Sequence, residues 1–460
     1  MINIKNAKEL RIKNANTEWW VHEQAVVAAN GLTYIAYFTD TGEIHIKELD
    51  AKCSKTPSRD FRLSKLNYNY ADEHNAAGMC ILENGKIIVG YTGHKVPDIH
   101  YRITERPYDI FSFGPEQTIP CEGAATYVQI FENTKRDELW LFNREAGNTW
   151  HFRISKDEGE TWSAPRTFFR ATNTQEEFSQ YLQETGYMID GAELSGLYYA
   201  DIRKQEIKID GNMDEQWFFA LYGHPYKSLD HSIHTGIFRS DGQLLKTDGT
   251  PTDFNLFEGN GSLDLKQLDL VYQAPMGDTV RLSAVAPTLP LRVGFAAFSM
   301  KNDVANPDPE KPVYYSATFR DGKWQLSAPI CKAGEFLAQN ILDGSQSALG
   351  GMAYYYGMGE AAINPKHEGK VIPTNNRIFI ARFDGKDRVL ECYRSTDYGK
   401  TYQLEETFRR IPSEKGIKTW RPVVPSHAQG NLPVYWHEGV YTAHTGGWEC
   451  DTVMLIEYDD

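Results

Sequence analysis

The sequence predicts an all-β protein that folds as a single seven-bladed β-propeller over residues 1–460, and three observations support this fold class. Short runs rich in Val, Ile, Tyr, Phe and Trp recur along the chain, each closed by Gly, Asp or Asn. No long segment places apolar residues at helical spacing. The runs also fall into seven groups with a mean spacing of about 65 residues, which is typical of a repeat architecture with long loops.

The first group, residues 25–50, contains three runs separated by NG and TG turns, like the inner strands of a propeller blade. The other groups are near residues 75–104, 124–162, 197–247, 268–328, 346–405 and 420–458. The only segment with helical character, residues 172–186, is polar and is expected on a loop between blades. We expect four strands in every blade around a central channel, and the strands at the two chain ends are expected to meet in one blade.

Two segments share the pattern Ser-x-Asp-x-Gly-x-Thr-aromatic, SKDEGETW (155–162) and STDYGKTY (395–402). They resemble the Asp-box of sialidase-type propellers. In such a turn Asp accepts backbone N–H bonds, Gly takes a positive φ and the aromatic ring packs between sheets. We interpret both segments as structural turns between outer strands, which say little about the reaction.

Composition limits the class of protein. With 41% apolar and 13% aromatic residues the chain can bury a large core, so disorder is excluded. The net charge of −14 and the lack of Lys or Arg runs argue against nucleic acid, whereas a polyanionic substrate is still compatible because a few cations can converge in one cleft. The sequence offers no membrane partner, and we expect a monomer.

The N-terminal segment MINIKNAKEL lacks the basic and apolar pattern of a signal peptide, and no run approaches the ~18 apolar residues of a membrane span. We therefore expect a soluble protein, cytoplasmic as written or secreted or periplasmic if a signal was removed. The cysteines form no metal-ligand spacing and are expected to be buried thiols: Cys53, Cys80, Cys121, Cys331, Cys392 and Cys450.

The segment 71–107 places His74 at the start of one predicted strand and His94 at the end of the next, with an NG turn at 84–85 between them. Antiparallel strands joined by a hairpin bring those two ends together, so the imidazoles are expected at one mouth of the blade. A histidine pair there can transfer protons or contact an anion. The alternative is that both histidines only cap strands.

The next blade repeats this geometry in residues 125–155, with Tyr127 on its first strand and Arg144 at the end of its second. Arg binds carboxylates through two parallel hydrogen bonds, and a Tyr hydroxyl can transfer a proton when cations lie nearby. Alone, these residues would be a packed aromatic and a surface charge. Their recurrence at the blade positions of the histidines predicts a shared site.

These segments resemble a known family. The sequences DEHN (72–75), NGKI (84–87), GH (93–94) and TY (126–127), with Arg144 after an aromatic strand, look like the BNR-repeat propeller family that contains the ulvan lyases and L-rhamnose-α-1,4-D-glucuronate lyases. The likeness continues through LYYADIRK (197–204), WFFALYGHP (217–225), SIHTGIFRSDGQLLKTDGT (232–250) and LPVYWHEGVY (432–441).

The resemblance implies a polysaccharide lyase that cleaves rhamnose–uronate linkages by β-elimination. Arg144 would neutralise the uronate carboxylate with help from His94 or His74, and His74 and Tyr127 would divide the roles of base and acid, with His74 preferred as base. The substrate contacts implied are Asn75, Tyr199, Arg203 and His224.

The chemistry needs no cofactor. A structural divalent cation, calcium or zinc, is a further possibility, for which His224, His231 and His234 lie near one another in sequence but without a suitably spaced cysteine.

Three other functions compete with the lyase. A sialidase needs a Phe/Tyr-Arg-Ile-Pro segment, and the nearest strings, YRIT (101–104) and FRIS (152–155), lack the proline. An α-L-rhamnosidase would hydrolyse the same bond, although glycosidases use two carboxylates and this set is built from His, Tyr and Arg. A non-catalytic carbohydrate-binding propeller is the third alternative. The choice between ulvan and arabinogalactan-type substrates stays open, as does endo or exo action.

Overall fold

Each group of strands forms one antiparallel sheet in the computed structural model of this chain, and seven such sheets form the blades of a β-propeller. The structure describes residues 7–15, 25–50, 58–65, 73–93, 96–145, 149–170, 176, 179–180, 183–184, 197–209, 212–223, 231–258, 262–275, 278–286, 290–299, 313–332, 360–363, 376–423, 425, 434–443 and 447–457. The predicted fold class is confirmed.

The strands of the first three blades follow one another in the sequence. The first blade contains β2 (Ala25–Val27), β3 (Leu32–Phe38), β4 (Glu43–Asp50) and β5 (Arg59–Lys65), after the N-terminal β1 (Ala7–Ile12). The second contains β6 (Gly78–Ile81), β7 (Ile87–Tyr91), β8 (Asp98–Ile103) and β9 (Gln117–Pro120). The third contains β10 (Thr126–Asn133), β11 (Glu138–Glu145), β12 (Thr149–Ser155) and β13 (Arg166–Phe169).

The next two blades carry additional strands. The fourth contains β14 (Leu197–Ile209), β15 (Asn212–Gly223), β16 (Ser232–Arg239), β17 (Gln243–Leu245), β18 (Pro251–Asn255) and β19 (Asp269–Gln273). The fifth contains β20 (Asp278–Ala286), β21 (Arg292–Ser299), β22 (Val313–Arg320), β23 (Lys323–Leu326) and β24 (Cys331–Lys332).

The last two blades have four strands each. The sixth contains β25 (Glu360–Ile363), β26 (Asn376–Phe383), β27 (Asp387–Ser395) and β28 (Gln403–Pro412). The seventh contains β29 (Lys418–Val423), β30 (Val434–Ala443) and β31 (Gly447–Glu457), completed by β1. The chain ends therefore meet in one blade as predicted, with Ala7 opposite Glu457 and Ile12 opposite Thr452.

Two details differ from the sequence-based prediction. The group predicted at 268–328 starts too early, because β19 pairs with β16 and so belongs to the fourth blade. After a long connection, a strand can pair again with the sheet that precedes the connection, and local periodicity does not reveal this pairing. The fourth and fifth blades also exceed the predicted four strands. Within the predicted helical segment, residues 176, 179–180 and 183–184 are helical.

The direction of the strands defines two faces of the propeller. The first strand of each blade is the innermost one, as the Gln129 side chain of β10 illustrates by bonding the backbone of the neighbouring innermost strand β14 at Ala200 and Ile202. We define the upper face as the face of the propeller at which the first strand of each blade begins and the second strand ends. The lower face is the one where third strands end.

Aromatic side chains fill the space between the third and fourth blades. The rings of Trp140 and Trp217 lie 4.2 Å apart between centroids, and both side chains are fully buried. Phe168 contacts Phe219 at 5.5 Å and Phe238 at 5.4 Å between centroids. Such pairs combine large apolar burial with defined geometry, so they fix one blade against the next.

The two Asp-box-like segments form matching turns after the third strands β12 and β27, on the lower face. In the first, Ser155 Oγ accepts from the backbone N–H of Gly159 at 2.8 Å, and Asp157 accepts from that of Thr161 at 2.9 Å. The second turn repeats both bonds with Ser395, Asp397, Gly399 and Thr401, at 2.8 and 2.9 Å. Both glycines have positive φ, +90° and +83°.

The structure also bears on the predicted thiols and on the question of a membrane-spanning helix. Cys392 and Cys450 are buried thiols as predicted, whereas Cys80, Cys121 and Cys331 are thiols that are only partly buried, and Cys53 lies outside the described ranges. In the part of the chain that is described, no helix has the length and apolar character needed to cross a membrane.

Candidate active site

The β10–β11 hairpin brings Tyr127 and Arg144 together on the upper face. Thr126 lies directly opposite Arg144 in the strand pairing, and Tyr127 follows Thr126 in the chain. The guanidinium carbon of Arg144 lies 4.6 Å from the centre of the Tyr127 ring. The predicted proximity of these two residues is therefore present in the structure.

A β-bulge directs the Tyr127 side chain. The pairing register shifts by one residue between Thr126 and Gln129, and Tyr127 has φ +61°. A bulky residue rarely adopts positive φ, and such strain is found mostly where a side chain is aimed for function. The innermost strand of the next blade has a register shift at the same place, between Leu197 and Tyr199.

Arg144 is buried between two aromatic rings. Only 7% of the residue is exposed, and its guanidinium carbon lies 4.2 Å from the centre of the Tyr198 ring in addition to the Tyr127 contact. No acceptor among the described residues bonds its Nε or Nη1 atoms. A buried guanidinium normally has its donors satisfied, so these two groups are donors available to an anion.

His74 lies beside the same tyrosine. It belongs to a short 3-10 helix, Glu73–Asn75, that precedes β6, and its ring is 5.8 Å from the Tyr127 ring between centroids at an interplanar angle of 29°. His74 is 8% exposed and Asn75 is 1% exposed. Three of the predicted residues, His74, Tyr127 and Arg144, thus form one cluster, with Asn75 next to His74 in the chain.

The predicted substrate contacts Tyr199 and Arg203 lie on β14. The Tyr199 ring is 5.7 Å from the Tyr127 ring and 4.9 Å from the Tyr222 ring, so it extends the aromatic wall of the cluster. Arg203 lies further along the strand, with its Nε 3.1 Å from Asp201 Oδ1. Its charge is therefore met by a carboxylate, unlike that of Arg144. The roles of Tyr199 and Arg203 as substrate contacts stay predictions.

The other histidines named from the sequence add little to the description of this cluster. His94 and His224 lie outside the described residues. His231 is buried, and burial lowers its pKa to about 4, so the imidazole is neutral at physiological pH. His234 lies on β16. Within the described ranges, no three His, Cys, Asp or Glu side chains are grouped so as to hold a metal ion.

Sequence reasoning missed two aromatic residues of this cluster. Tyr198 covers one face of the Arg144 guanidinium, and Trp150, opposite Arg144 on β12, stacks on Tyr127 at 6.1 Å and 18°. The indole N–H of Trp150 donates to the Tyr198 carbonyl oxygen at 3.0 Å, which ties the third blade to the fourth. The only sequence signal is the run of aromatic residues at strand starts, which a packed core would also produce.

The arrangement defines the chemistry available to the cluster. A guanidinium packed against two aromatic rings is restricted in its orientation, and its unbonded N–H groups can donate to a carboxylate. An imidazole and a phenol beside that edge can give and take protons. The cluster is suited to hold an acidic molecule by its carboxylate and to move a proton next to it.

The fold and this cluster define a seven-bladed propeller with a cationic and aromatic site on its upper face. Residues 32–193 match the model of the BNR repeat-containing family. Among curated proteins, none matches this sequence significantly.

Two similar solved structures are of a polysaccharide lyase described as a PL25 ulvan lyase, one of them bound to -[GlcA(1-4)Rha3S]-, and both have a TM-score of 0.62 at 12% identity. The alignment covers 96% of this chain and 95% of theirs. The polysaccharide lyase Uly1 is also similar, with a TM-score of 0.52 and 12% identity over 95% of this chain and 90% of that one. The predicted resemblance to BNR-repeat propellers and ulvan lyases is confirmed, and at this identity it establishes the fold.

Proposed function

We propose that this protein is a polysaccharide lyase that cleaves L-rhamnose-(1→4)-uronate linkages by β-elimination. The observation that carries the proposal is the buried guanidinium of Arg144, whose Nε and Nη1 have no acceptor among the described residues. A guanidinium buried without a carboxylate is costly unless a ligand supplies the negative charge. Each uronate ring of such a glycan carries one carboxylate, which would supply this negative charge.

The elimination breaks the bond between carbon 5 of the uronate and its hydrogen and the bond between carbon 4 and the bridging oxygen, and it forms a double bond between carbons 4 and 5. The hydrogen on carbon 5 is a weak acid, because its removal places negative charge next to an ionised carboxylate. Two N–H donors from Arg144 would stabilise that charge as it develops. The leaving oxygen takes a proton and becomes the hydroxyl of the released rhamnose.

His74 and Tyr127 would carry the two proton transfers. Their rings are 5.8 Å apart between centroids, so both can reach one sugar ring held at Arg144. We assign His74 as the base that removes the carbon 5 proton and Tyr127 as the acid that protonates the leaving oxygen. The reverse assignment uses the same atoms.

The glycan bound in the structure of the ulvan lyase gives the substrate class its support, since that glycan joins glucuronate to sulfated rhamnose. For this chain we propose the same linkage class, with Asn75, Tyr199, Arg203 and His224 as candidate contacts to the sugars. The aromatic wall of Tyr199 and Tyr222 offers the apolar faces on which sugar rings stack.

The test is to incubate the protein with ulvan, with arabinogalactan and with rhamnose–glucuronate oligosaccharides and to record absorbance at about 235 nm, where only the unsaturated uronate product of elimination absorbs. Absorbance that grows with time on a rhamnose–uronate glycan supports the proposal. New reducing ends without absorbance would identify an α-L-rhamnosidase instead, and binding without any product would identify a carbohydrate-binding propeller.

A further inference from the structure

The two matching turns on the lower face pack against very different neighbours. A Cβ placed on Gly159 of the first turn would meet the Ile103 Cδ1 atom at 2.7 Å and Ile88 Cδ1 at 3.8 Å. A Cβ placed on Gly399 of the second turn would meet the hydroxyl of Thr318 at 2.6 Å. The turn after β12 therefore rests on an apolar surface of the second blade, and the turn after β27 on a polar surface of the fifth.

The strand pairing identifies the equivalent residues in the two blades. In the second blade Ile88 lies opposite Ile103, and the next pair along is joined by a backbone bond from Thr104 to Ile87, 3.0 Å long. Ile88 and Ile103 are therefore a non-hydrogen-bonded pair, in which the side chains are close together on one face of the sheet.

The fifth blade has the same arrangement with polar side chains. Arg292 lies opposite Thr318, and the next pair along is joined by a backbone bond from Phe319 to Leu291, 2.8 Å long. Arg292 thus occupies the position of Ile88, and Thr318 that of Ile103. A guanidinium has replaced an isoleucine at a buried contact between blades.

The polar atoms of this pair are buried without compensation. Arg292 is 3% exposed and Thr318 is 2% exposed. Among the described residues, Arg292 Nε and Nη1 and Thr318 Oγ1 have no hydrogen-bond partner, and no carboxylate lies within ion-pair distance of Arg292. A full positive charge in such a place destabilises a fold strongly unless a counter-charge is present.

The phenol of Tyr402, the aromatic residue of the second turn, does not supply that charge. Its hydroxyl donates to Ser316 Oγ at 3.2 Å, and burial raises the pKa of Tyr402, so the phenol is neutral at physiological pH. Burial likewise lowers the pKa of Arg292, which is the sign of an uncompensated cation. The negative charge must come from outside the described residues.

We propose that Arg292 and Thr318 bind a small inorganic anion of the size of chloride at the contact of the fifth and sixth blades. Arg292 and Thr318 lie opposite each other in a non-hydrogen-bonded pair, so the guanidinium and the hydroxyl offer donors from one face of the sheet, and a spherical anion accepts from such donors without the planar match that a carboxylate needs. The site is on the lower face, because Arg292 begins a second strand whereas Arg144 ends one. The anion stabilises the fold and takes no part in the reaction.

The test compares thermal unfolding of the full chain in sodium chloride, sodium bromide and sodium gluconate at equal ionic strength. We expect the halides to raise Tm by about 3 °C over gluconate at a concentration about 100-fold above Kd, because the ligand binds only the folded state. Crystals grown with bromide should show an anomalous scattering peak at Arg292 and Thr318.

Two variants and one control make the test specific. Thr318→Val removes one hydroxyl with little change of shape and should weaken halide affinity about tenfold, measured as a shift of the Tm response to higher halide concentration. Arg292→Met should abolish the halide response. Arg320→Met removes a partly exposed arginine from the same strand β22 and should leave the response unchanged.

A wild-type protein with equal Tm in halide and gluconate and no bromide peak would overturn the proposal. So would a halide response that persists in Arg292→Met or that is lost in Arg320→Met. Because elimination activity is not measured in any of these experiments, the result is independent of the function proposed for the upper face.

Discussion

Two arginines of the third blade are buried in contrasting ways. Arg153, 1% exposed, is bound by acidic and amide groups: its Nη2 lies 2.5 Å from Glu145 Oε1, and its Nη1 donates to Asn143 Oδ1 at 2.7 Å. Arg144, on the neighbouring strand, has its guanidinium against two aromatic rings, and its Nε and Nη1 have no acceptor among the described residues.

The difference separates a structural charge from one that is available to a ligand. The charge of Arg153 is neutralised within the fold, whereas the rings around Arg144 hold its orientation without neutralising it. Burial and charge alone would not distinguish the two residues. The satisfaction of their donors does.

The largest effect on stability is expected for Arg153→Met. Removing one partner of a buried ion pair leaves Glu145 uncompensated, so the free energy of unfolding at pH 7 should fall by about 3–5 kcal/mol. Urea denaturation measures it. The turnover of the folded variant on a rhamnose–uronate glycan should be close to that of the wild type, and a large loss of turnover with unchanged stability would reverse the roles of the two arginines.

The stability lost in Arg153→Met depends on pH, and the lowered pKa of Glu145 determines the direction of that dependence. Burial by itself raises the pKa of Glu145, but the charge and hydrogen bonds of Arg153 outweigh burial and hold that pKa below its ordinary value of 4.5. The pair therefore stabilises the wild type above about pH 4.5, and this contribution is lost as the pH falls through the lowered pKa. The stability gap between wild type and Arg153→Met should narrow below pH 4.5.

The largest effect on turnover is expected for Tyr127→Phe. The variant keeps the ring that packs on His74 and Trp150 and loses only the hydroxyl, so kcat should fall about 1,000-fold while the fold is retained. The rate of absorbance increase at about 235 nm measures it. Tyr101→Phe is the matched control, because its hydroxyl bonds the Gly159 carbonyl oxygen on the lower face. Near-normal elimination by Tyr127→Phe would exclude the upper face as the active site.

Arg144→Lys should reduce kcat by about 100-fold, comparable to the loss of one preorganised donor in a transition state. Lysine keeps the charge but loses the planar pair of donors, so KM should change much less than kcat. Arg136→Lys is the control, since Arg136 is also stacked on an aromatic ring, with its guanidinium carbon 4.5 Å from the centre of Phe257, at the other end of the same hairpin. Equal effects of the two substitutions would contradict the special status of Arg144.

The smallest effect is expected at Tyr198, which touches Arg144 and acts by positioning it. Tyr198→Leu removes the ring from one face of the guanidinium and should lower kcat/KM about tenfold, whereas Tyr198→Phe keeps the ring and should restore most of the rate. Steady-state kinetics of both variants measure it. If Phe and Leu were equally impaired, the ring would have no role in holding Arg144.

The sequence by itself determined the fold class, the closure of the ring and the residues at the two ends of each hairpin. Strand groups separated by NG and similar turns specify blades, because turn chemistry and alternation act over a few residues. The same local rules placed Tyr127 near Arg144 and predicted the two turns at 155–162 and 395–402. The proton-transfer roles rest on the resemblance and are still predictions.

Only the tertiary structure decided which side chains meet between blades. The bulge at Tyr127 shifts the register by one residue and re-aims the side chain, which no periodicity of the sequence reports. Tyr198 reaches Arg144 from another blade, 54 residues further along the chain. In the sequence, Arg292 is an ordinary arginine at the start of a strand, whereas the structure shows that it is buried. Burial and the satisfaction of donors depend on how the blades pack, so the sequence does not reveal them.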